Sequence, residues 1–215
     1  QRFPGAEIII VEDGDDGGAT ALLAGQYGAR YFQRCNRPDV PYANCAPLLN
    51  KGIREARGEI VILQNAEVRH ESPDVIARLV VPHRICRHRA IFASVQMLDP
   101  GGCPWYWGSH PVHAGPSPYF YCGSVRRENL LAIGGLDEDF KYWGAEDDDL
   151  ALRLRMAGMD FVFDADAVVS HQWHQPSDFG REENRALWIK KYEELRTGRM
   201  SFVANQGREW GLLDS

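Results

Sequence analysis

Near its start the chain reads EIIIVEDG at residues 7–14. The four consecutive β-branched residues predict a strand buried on both faces, and the Asp-Gly pair predicts a turn at its carboxyl end. A second run, EIVIL at residues 59–63, predicts another buried strand. Helical patterns over 19–27 and 43–57 lie between the two, the second ended by Gly58. This alternation indicates right-handed βαβ units and therefore an α/β fold with a largely parallel sheet.

Further elements are predicted on both sides of a loop. Ser72 followed by Pro73 is typical of a helix N-cap and first turn, so a helix is expected from there through Leu79. Residues 99–118 are rich in Gly, Pro, Trp and His and are expected to form one long functional loop. The remaining elements are expected to be a strand near 30–32, a helix over 147–157, strands at 161–163 and 167–169, and a helix over 181–196.

Composition limits the classes of protein and partner. The chain has 215 residues, 44% of them hydrophobic and 25% charged, which is typical of a globular domain. A net charge of −6 gives no basic field for coating nucleic acid, so no nucleic-acid partner is expected. No apolar run approaches the ~20 residues of a membrane span. Five scattered cysteines without a CxxC favour a reducing, cytoplasmic location, and an anchor upstream of Gln1 is left open.

Polar residues follow both buried strands. Glu12 and Asp13 come at the end of the first strand, where parallel α/β sheets bind ligands, and they suit the polar groups of a nucleoside. An acidic turn that caps the next helix is an equal alternative. Glu67 follows the second strand and offers a carboxylate for Mn²⁺ or Mg²⁺. Without further context, a polar turn from strand to loop is about twice as good an explanation of Glu67.

Two later motifs carry candidate chemistry. The stretch WGAEDDDL at residues 143–150 opens a helix with four carboxylates. The helix dipole offsets only ~0.3–1 kcal/mol per charge, so a structural explanation covers one or two of them. A general base, a contact to a sugar hydroxyl and a stacking role for Trp143 would explain the others. The stretch SHQWH at residues 170–174 has a zinc-like histidine spacing but lacks a third ligand at metal spacing.

These motifs, in this order, resemble those of the GT-A glycosyltransferases. The nearest are the family 2 type and the catalytic half shared by β-1,4-galactosyltransferases and polypeptide GalNAc-transferases. Residues 10–14 are similar to the V-D-D-G-S nucleotide loop and residues 49–53 to the R-N-x-G-I helix. The stretches 121–127, 133–138 and 142–149 are the most specific, the last looking much like a galactosyltransferase W-G-G-E-D-D-D segment. The resemblance spans residues 7–175.

The resemblance implies a GT-A fold, Rossmann-like, with a mostly parallel central sheet flanked by helices. It implies a single domain over 1–215, with a nucleotide-binding half at 1–98, an acceptor and catalytic half at 99–180, and a C-terminal helix and tail at 181–215. The family's usual first strand, with its P-x-Y-N loop, is not found before Phe3.

The resemblance also implies roles for individual residues. Asp147 would be the catalytic base, with acceptor contacts from Glu146, Asp148 and Trp143. Asp13 would contact the uracil, and the donor side would also include Glu12, Asn50, Asn65 and Gly123. The metal, Mn²⁺ or Mg²⁺, would be held by Glu67 and His171, with His174 as the alternative histidine.

The chain departs from the family pattern at the metal. The D-x-D motif has become Asn65-Ala66-Glu67, which predicts weaker metal binding or a register shifted onto Gln64. Val168 stands where galactosyltransferases place a methionine ligand.

The expected activity is metal-dependent transfer of a hexose or N-acetylhexosamine from a nucleotide sugar, taken as UDP-linked, to an acceptor hydroxyl. A single base without a protein nucleophile predicts inversion at the anomeric carbon. The acceptor would be a glycan, glycoconjugate or protein, and Trp105 to His113 would form a mobile acceptor or lid loop. The alternatives are a catalytically impaired nucleotide-sugar or glycan-binding module and a metal-dependent phosphoesterase.

Overall fold

A computed structural model describes residues 3–14, 16–34, 45–112, 118–175 and 179–213. The chain divides into two compact units. The small-sheet unit comprises residues 5–58, 130–153 and 177–215, and the large-sheet unit comprises 1–4, 59–129 and 154–176. No helix in the described ranges combines the length and the apolar character that crossing a membrane would require.

Fourteen helices and strands, and one short 3-10 helix at Val81–Arg84, make up the regular structure of the described residues. They are, in chain order, β1 (Ile9–Asp13), α1 (Ala19–Tyr27), β2 (Arg30–Arg34), α2 (Ala46–Glu55), β3 (Ile60–Gln64), β4 (Val68–His70), α3 (Val75–Val80), β5 (Arg89–Leu98), β6 (Pro104–Trp107), β7 (Cys122–Arg126), α4 (Arg127–Ala132), α5 (Glu146–Met156), β8 (Asp160–His171) and α6 (Arg181–Arg196).

The small-sheet unit contains the predicted strand-helix-strand start of the chain. Strands β1 and β2 pair in parallel, with Asp13 opposite Arg34 at their carboxyl ends. Helix α2 packs against β1, and its Gly52 lies close enough that an added Cβ would be 3.8 Å from Val11. Helices α1 and α6 begin and end where the sequence predicts.

The large-sheet unit contains six strands in the order β3-β7-β5-β8-β4, with β6 added beside β5. Only the β5–β8 pair is parallel, so the expectation of a mostly parallel sheet is wrong for this unit, although the α/β class is confirmed. The physical reason lies in the connections. A tight turn in which Asp99 accepts from the amides of Gly101 and Cys103 (2.9 and 2.8 Å) makes β5 and β6 a hairpin, and hairpin neighbours are antiparallel.

Three local predictions are corrected by this sheet. The expected loop over 99–118 contains strand β6, so Trp105 to Trp107 lie in a strand, while His113 lies outside the described residues. The two expected strands at 161–163 and 167–169 are one continuous strand, β8, with an irregular register opposite Ala93 and Ser94. Ser72 does not cap α3, because its hydroxyl donates to the carbonyl of Asp166 and accepts from the amide of Val168.

Candidate active site

In the large-sheet unit, Glu67 and His171 lie beside each other although 104 positions separate them. Strand β4 pairs with β8 so that Val68 stands opposite His171, and the amide of Gln172 donates to the carbonyl of Glu67 at 2.9 Å. Burial lowers the pKa of His171, while the carboxylate of Glu67 acts in the opposite direction. A lowered pKa keeps the imidazole neutral near pH 7, the form that binds metals.

His171 is buried and lies close to two other rings. Its ring is 5% exposed and lies edge-on to Tyr121 at 5.1 Å between ring centroids. The ring of His174 lies 5.3 Å away and is exposed. A carboxylate oxygen and an imidazole nitrogen are a donor pair that Mn²⁺ accepts. Within the described part of the chain, no three His, Cys, Asp or Glu side chains are grouped to hold a metal.

The side chain of Gln64 is already committed elsewhere. Its Oε1 contacts Nε2 of His70 at 2.7 Å, and its Nε2 donates to the carbonyl of Val68 at 3.3 Å. The thiol of Cys122 lies 3.6 Å from the same Oε1. A D-x-D register shifted onto Gln64 would break these contacts, so Glu67 remains the candidate ligand.

Asn65 and Gly123, both predicted on the donor side, are placed differently. The backbone amide of Asn65 donates to the carbonyl of Tyr121 at 3.0 Å. The residue is half-buried and lies in the turn after β3. Gly123 is buried in β7, where an added Cβ would be 3.0 Å from the Phe120 ring and 3.3 Å from the Phe92 ring. Ring packing therefore accounts for the glycine without a donor contact.

In the small-sheet unit, the acids at the end of β1 and just after it have protein partners. Arg34 donates to Asp13 from two side-chain nitrogens, and the Nε–Oδ1 distance is 2.8 Å. The hydroxyl of Tyr31 donates to Glu12. Asp16 accepts from both the amide and the hydroxyl of Thr20, at 2.7 and 2.6 Å, in the first turn of α1. Capping thus explains Asp16, whereas Asp13 keeps 28% of its side chain exposed and has acceptor capacity beyond Arg34.

Asn50, predicted to bind the donor, holds a turn through its side chain. It is fully buried in α2, and its amide nitrogen donates to the carbonyl of Leu136 and to Glu138, each at 2.8 Å. Its Oδ1 accepts from the amide of Leu136 at 2.8 Å. An added Cβ on Gly135 would be 2.3 Å from this oxygen. The polar side-chain atoms of Asn50 thus hold the 135–138 turn.

The turn that precedes α5 is held by α6. Asn184 donates to the carbonyls of Tyr142 (2.6 Å) and Gly144 (2.9 Å) and is 2% exposed. Gly144 and Ala145 have φ values of 92° and 71°, so Ala145 occupies the left-handed region that disfavours a side chain. Trp143 is 46% exposed, with the guanidinium of Arg181 5.2 Å from its ring centre.

The four carboxylates at the start of α5 have different environments. Asp149 is fully buried and bound twice by Arg153, at 2.6 and 3.2 Å. Burial raises the pKa of Glu146, and its Oε2 has no hydrogen-bond partner among the described residues. Burial also raises the pKa of Asp148. Asp147 is half-buried on the same first turn. The repulsion inferred from the sequence is therefore relieved by one ion pair and by the raised pKa values.

The sequence did not predict the buried ionic network of this region. Arg153 also binds Asp137 at 2.9 Å, and Lys191 of α6 binds Asp137 and Asp139 at 2.6 and 2.7 Å. The i,i+4 spacing of Asp149 and Arg153 was the available signal. The acids at 137–139 are thus structural.

Comparisons with known proteins agree with this architecture. Residues 121–171 match the family model described as the N-terminal domain of galactosyltransferase. The uncharacterized protein y4gI of Sinorhizobium fredii is 27% identical over 218 residues, covering 88% of this chain and 24% of that protein. The uncharacterized glycosyltransferase YfnE of Bacillus subtilis is 34% identical over 77 residues, covering 34% of this chain and 20% of that protein. The chain thus spans a quarter or less of these relatives.

Two solved structures resemble the chain over most of its length. GalNAc-T7, solved with UDP, GalNAc and Mn²⁺, superposes with a TM-score of 0.65 at 14% identity, covering 87% of this chain and 41% of that one. The mannosyltransferase PcManGT from Pyrobaculum calidifontis, solved with GDP-Man and Mn²⁺, gives 0.59 at 17% identity, covering 91% and 55%. The chain has the GT-A glycosyltransferase fold. The fold expected from the motifs is confirmed, and the most specific GT-A motifs overlap the stretch that matches galactosyltransferases.

Proposed function

We propose that the chain is a metal-dependent, inverting glycosyltransferase that uses a UDP-hexose or UDP-N-acetylhexosamine. The acceptor would be a hydroxyl of a glycan, glycoconjugate or protein. The observation that carries the proposal is the β4–β8 pairing, which brings Glu67 beside a buried His171 within a GT-A fold. Both solved relatives named above were crystallised with Mn²⁺ and a nucleotide or nucleotide sugar, which supports the donor class.

Glu67 and His171 are the residues that would hold the metal. The donor set fits Mn²⁺ in chemistry, since it joins a hard oxygen with a nitrogen kept neutral by burial. A divalent ion there supplies positive charge for the diphosphate that leaves in the transfer. His174, exposed next to His171, is the alternative ligand.

Asp147 is the proposed base. It lies on the first turn of α5, where the helix dipole favours a carboxylate, and it is half-buried. As the acceptor oxygen bonds to the anomeric carbon, its proton passes to Asp147 and the nucleoside diphosphate departs from the opposite face. A single displacement of this kind inverts the anomeric configuration.

Glu146 and Asp148 are proposed to bind the acceptor beside this base. Burial raises the pKa of both carboxyls, and their oxygens can accept hydrogen bonds from sugar hydroxyls. The exposed face of Trp143 offers a stacking surface for a sugar ring. On the donor side, Asp13 is proposed to contact the uracil. Glu12 and Asn65 are also proposed to contribute to donor binding.

Calorimetry with a panel of nucleotides and nucleotide sugars, with and without Mn²⁺, tests the proposal. We expect a uridine nucleotide to bind and Mn²⁺ to tighten it. Glu67→Ala and His171→Ala should remove the Mn²⁺-dependent gain, whereas His174→Ala, the matched control, should retain it. If only His174→Ala loses the Mn²⁺-dependent gain in affinity, then His174 and not His171 is the metal ligand.

Two outcomes would favour the alternatives. Nucleotide binding without transfer to any acceptor, under any metal, would favour a binding module. Hydrolysis of simple phosphate esters, independent of an acceptor, would favour a phosphoesterase. Binding of no uridine, guanosine or thymidine nucleotide would contradict the proposed function.

A further inference from the structure

One end of the large sheet is lined with arginines. The stretch HRICRHR at residues 83–89 leads from the 3-10 helix into β5. Arg126 and Arg127 leave the sheet at the same end, because Ala90 of β5 pairs with Val125 of β7. Arg155 lies over the ring of Phe161, which pairs with Ala90 from the other side. We call this surface the basic edge, formed by Arg84, Arg87, Arg89 and Arg155, with the buried Arg126 beneath it.

The basic edge has more positive charge than its acids neutralise. Arg87 pairs with Glu128 at 2.9 Å and the buried Arg126 with Glu59 at 3.3 Å. Among the described residues Arg84, Arg89 and Arg155 have no carboxylate partner, in a chain whose net charge is −6. Such a local reversal of sign on an acidic protein favours an anionic partner.

Buried nitrogens beneath the basic edge add to this field. The Nε atoms of Arg89 and Arg126 and Nδ1 of His83 have no hydrogen-bond partner among the described residues. Burial, followed by the charges of Arg126 and Arg89, lowers the pKa of His83 to about 4. His83 therefore stays neutral near pH 7, and the positive charge of the edge comes from the arginines.

An exposed apolar tip stands among these charges. Ile85, between Arg84 and Arg87, is 83% exposed, and Val81 is 44% exposed. A free polyanion gains nothing from an isoleucine side chain, whereas the boundary between lipid headgroups and acyl chains accommodates both an apolar side chain and basic neighbours. The tip thus distinguishes a lipid surface from a nucleic acid or a free phosphate.

The basic edge is remote from the candidate metal ligands. Arg89 begins β5, and Met97, eight residues later, pairs with His171, so the edge lies about 26 Å from His171 along the strand. Binding at the edge would leave the Glu67–His171 end of the sheet uncovered.

We propose that the basic edge docks the protein onto an anionic phospholipid bilayer, with Arg84 and Arg87 at the headgroup phosphates and Ile85 inserted between them. This docking does not depend on the proposed transfer reaction. It makes the chain a peripheral membrane binder through a surface whose sign opposes that of the whole molecule.

Vesicle flotation of the whole chain tests the docking. We expect binding to phosphatidylcholine vesicles containing 30% phosphatidylglycerol, weak binding to pure phosphatidylcholine, and release at high salt. Each arginine at such a surface contributes about fivefold to partitioning, so Arg84→Gln with Arg87→Gln should weaken binding about 25-fold. Ile85→Ser should weaken it about tenfold.

Matched controls separate this surface from net charge. Arg69→Gln with Arg196→Gln removes two arginines that are 66% and 63% exposed and each paired with a glutamate, as Arg87 is. This control should float like the unchanged protein. Equal loss in both double variants, failure to float on the anionic vesicles, or an Ile85→Ser protein that binds fully would overturn the proposal. Binding to heparin or inorganic phosphate without flotation would do the same.

Discussion

Replacing Arg153 by methionine should destabilise the protein strongly. Arg153 is 1% exposed and neutralises two buried acids, with nitrogens 2.6 Å from Asp149 and 2.9 Å from Asp137. Removing one partner of a buried ion pair costs about 3–5 kcal/mol, because a charge is left buried without compensation. Lys191 and Arg208 still reach Asp137 in the variant. The uncompensated acid is therefore Asp149, which is fully buried.

Urea denaturation followed by tryptophan fluorescence measures this change. The free energy of unfolding is expected to fall by about 3 kcal/mol per M of urea, so the unfolding midpoint should fall by about 1–1.7 M. Arg155→Met is the matched control on the same helix, since that arginine is exposed over Phe161 and its replacement should cost less than about 1 kcal/mol. Combining Arg153→Met with Asp149→Leu should restore much of the loss, because an apolar pair can replace a buried ion pair.

The pH dependence of the Arg153→Met variant provides a second check. Burial already raises the pKa of Asp149 in the presence of Arg153. Without the arginine that pKa rises further, so the variant's deficit should shrink as the pH falls and Asp149 becomes protonated. An Arg153→Met protein within 1 kcal/mol of the original, or a deficit that grows toward acid pH, would refute the buried network.

Three further predictions concern single sites. Ala145→Gly should raise the free energy of unfolding by about 0.5–1 kcal/mol, because Ala145 has φ 71° and glycine removes the strain; a loss in urea denaturation would contradict this. Asn50→Ala should lower it by about 2–4 kcal/mol through three lost hydrogen bonds, yet leave calorimetric nucleotide affinity unchanged, and a tenfold weaker affinity would restore the donor role. His83, with its pKa of about 4, binds its proton more weakly folded than unfolded. Stability should therefore fall by about 3 kcal/mol as the pH drops from 6.5 to 4. His83→Asn should flatten that dependence, while the same change at the exposed His88 should not.

Local patterns predicted those elements whose contacts are local. The terminal helix over Arg181–Arg196 and α1 over Ala19–Tyr27 were predicted with their observed bounds, since helical periodicity acts over a few residues. Strand β5 went unpredicted, because its ASVQM portion combines small and polar residues whose strand state depends on β6 and β8. The direction of strand pairing likewise depends on distant partners, as the antiparallel pairing of β4 with β8 shows.

At the candidate site, too, the sequence predicted local features but not the contacts between distant residues. The motifs singled out Glu67 and His171, but only the β4–β8 pairing shows them side by side. Asn50 was assigned to the donor because a motif does not show where its amide points, and the structure turns it inward to Leu136. The roles of Asp137 and Asp149 depended on Arg153 and Lys191, whose burial no local pattern reports.

One comparison tests whether this chain transfers a sugar with Asp147 as the proposed base. Initial rates of sugar transfer from UDP-hexoses and UDP-N-acetylhexosamines, measured with Mn²⁺ against a panel of glycan and peptide acceptors, are compared for the unchanged protein and Asp147→Asn. UDP affinity is measured on the same samples by calorimetry. We expect transfer by the unchanged protein, an initial rate about 10²–10⁴-fold lower in Asp147→Asn, and equal UDP affinity in both. An Asp147→Asn protein with full turnover would contradict it.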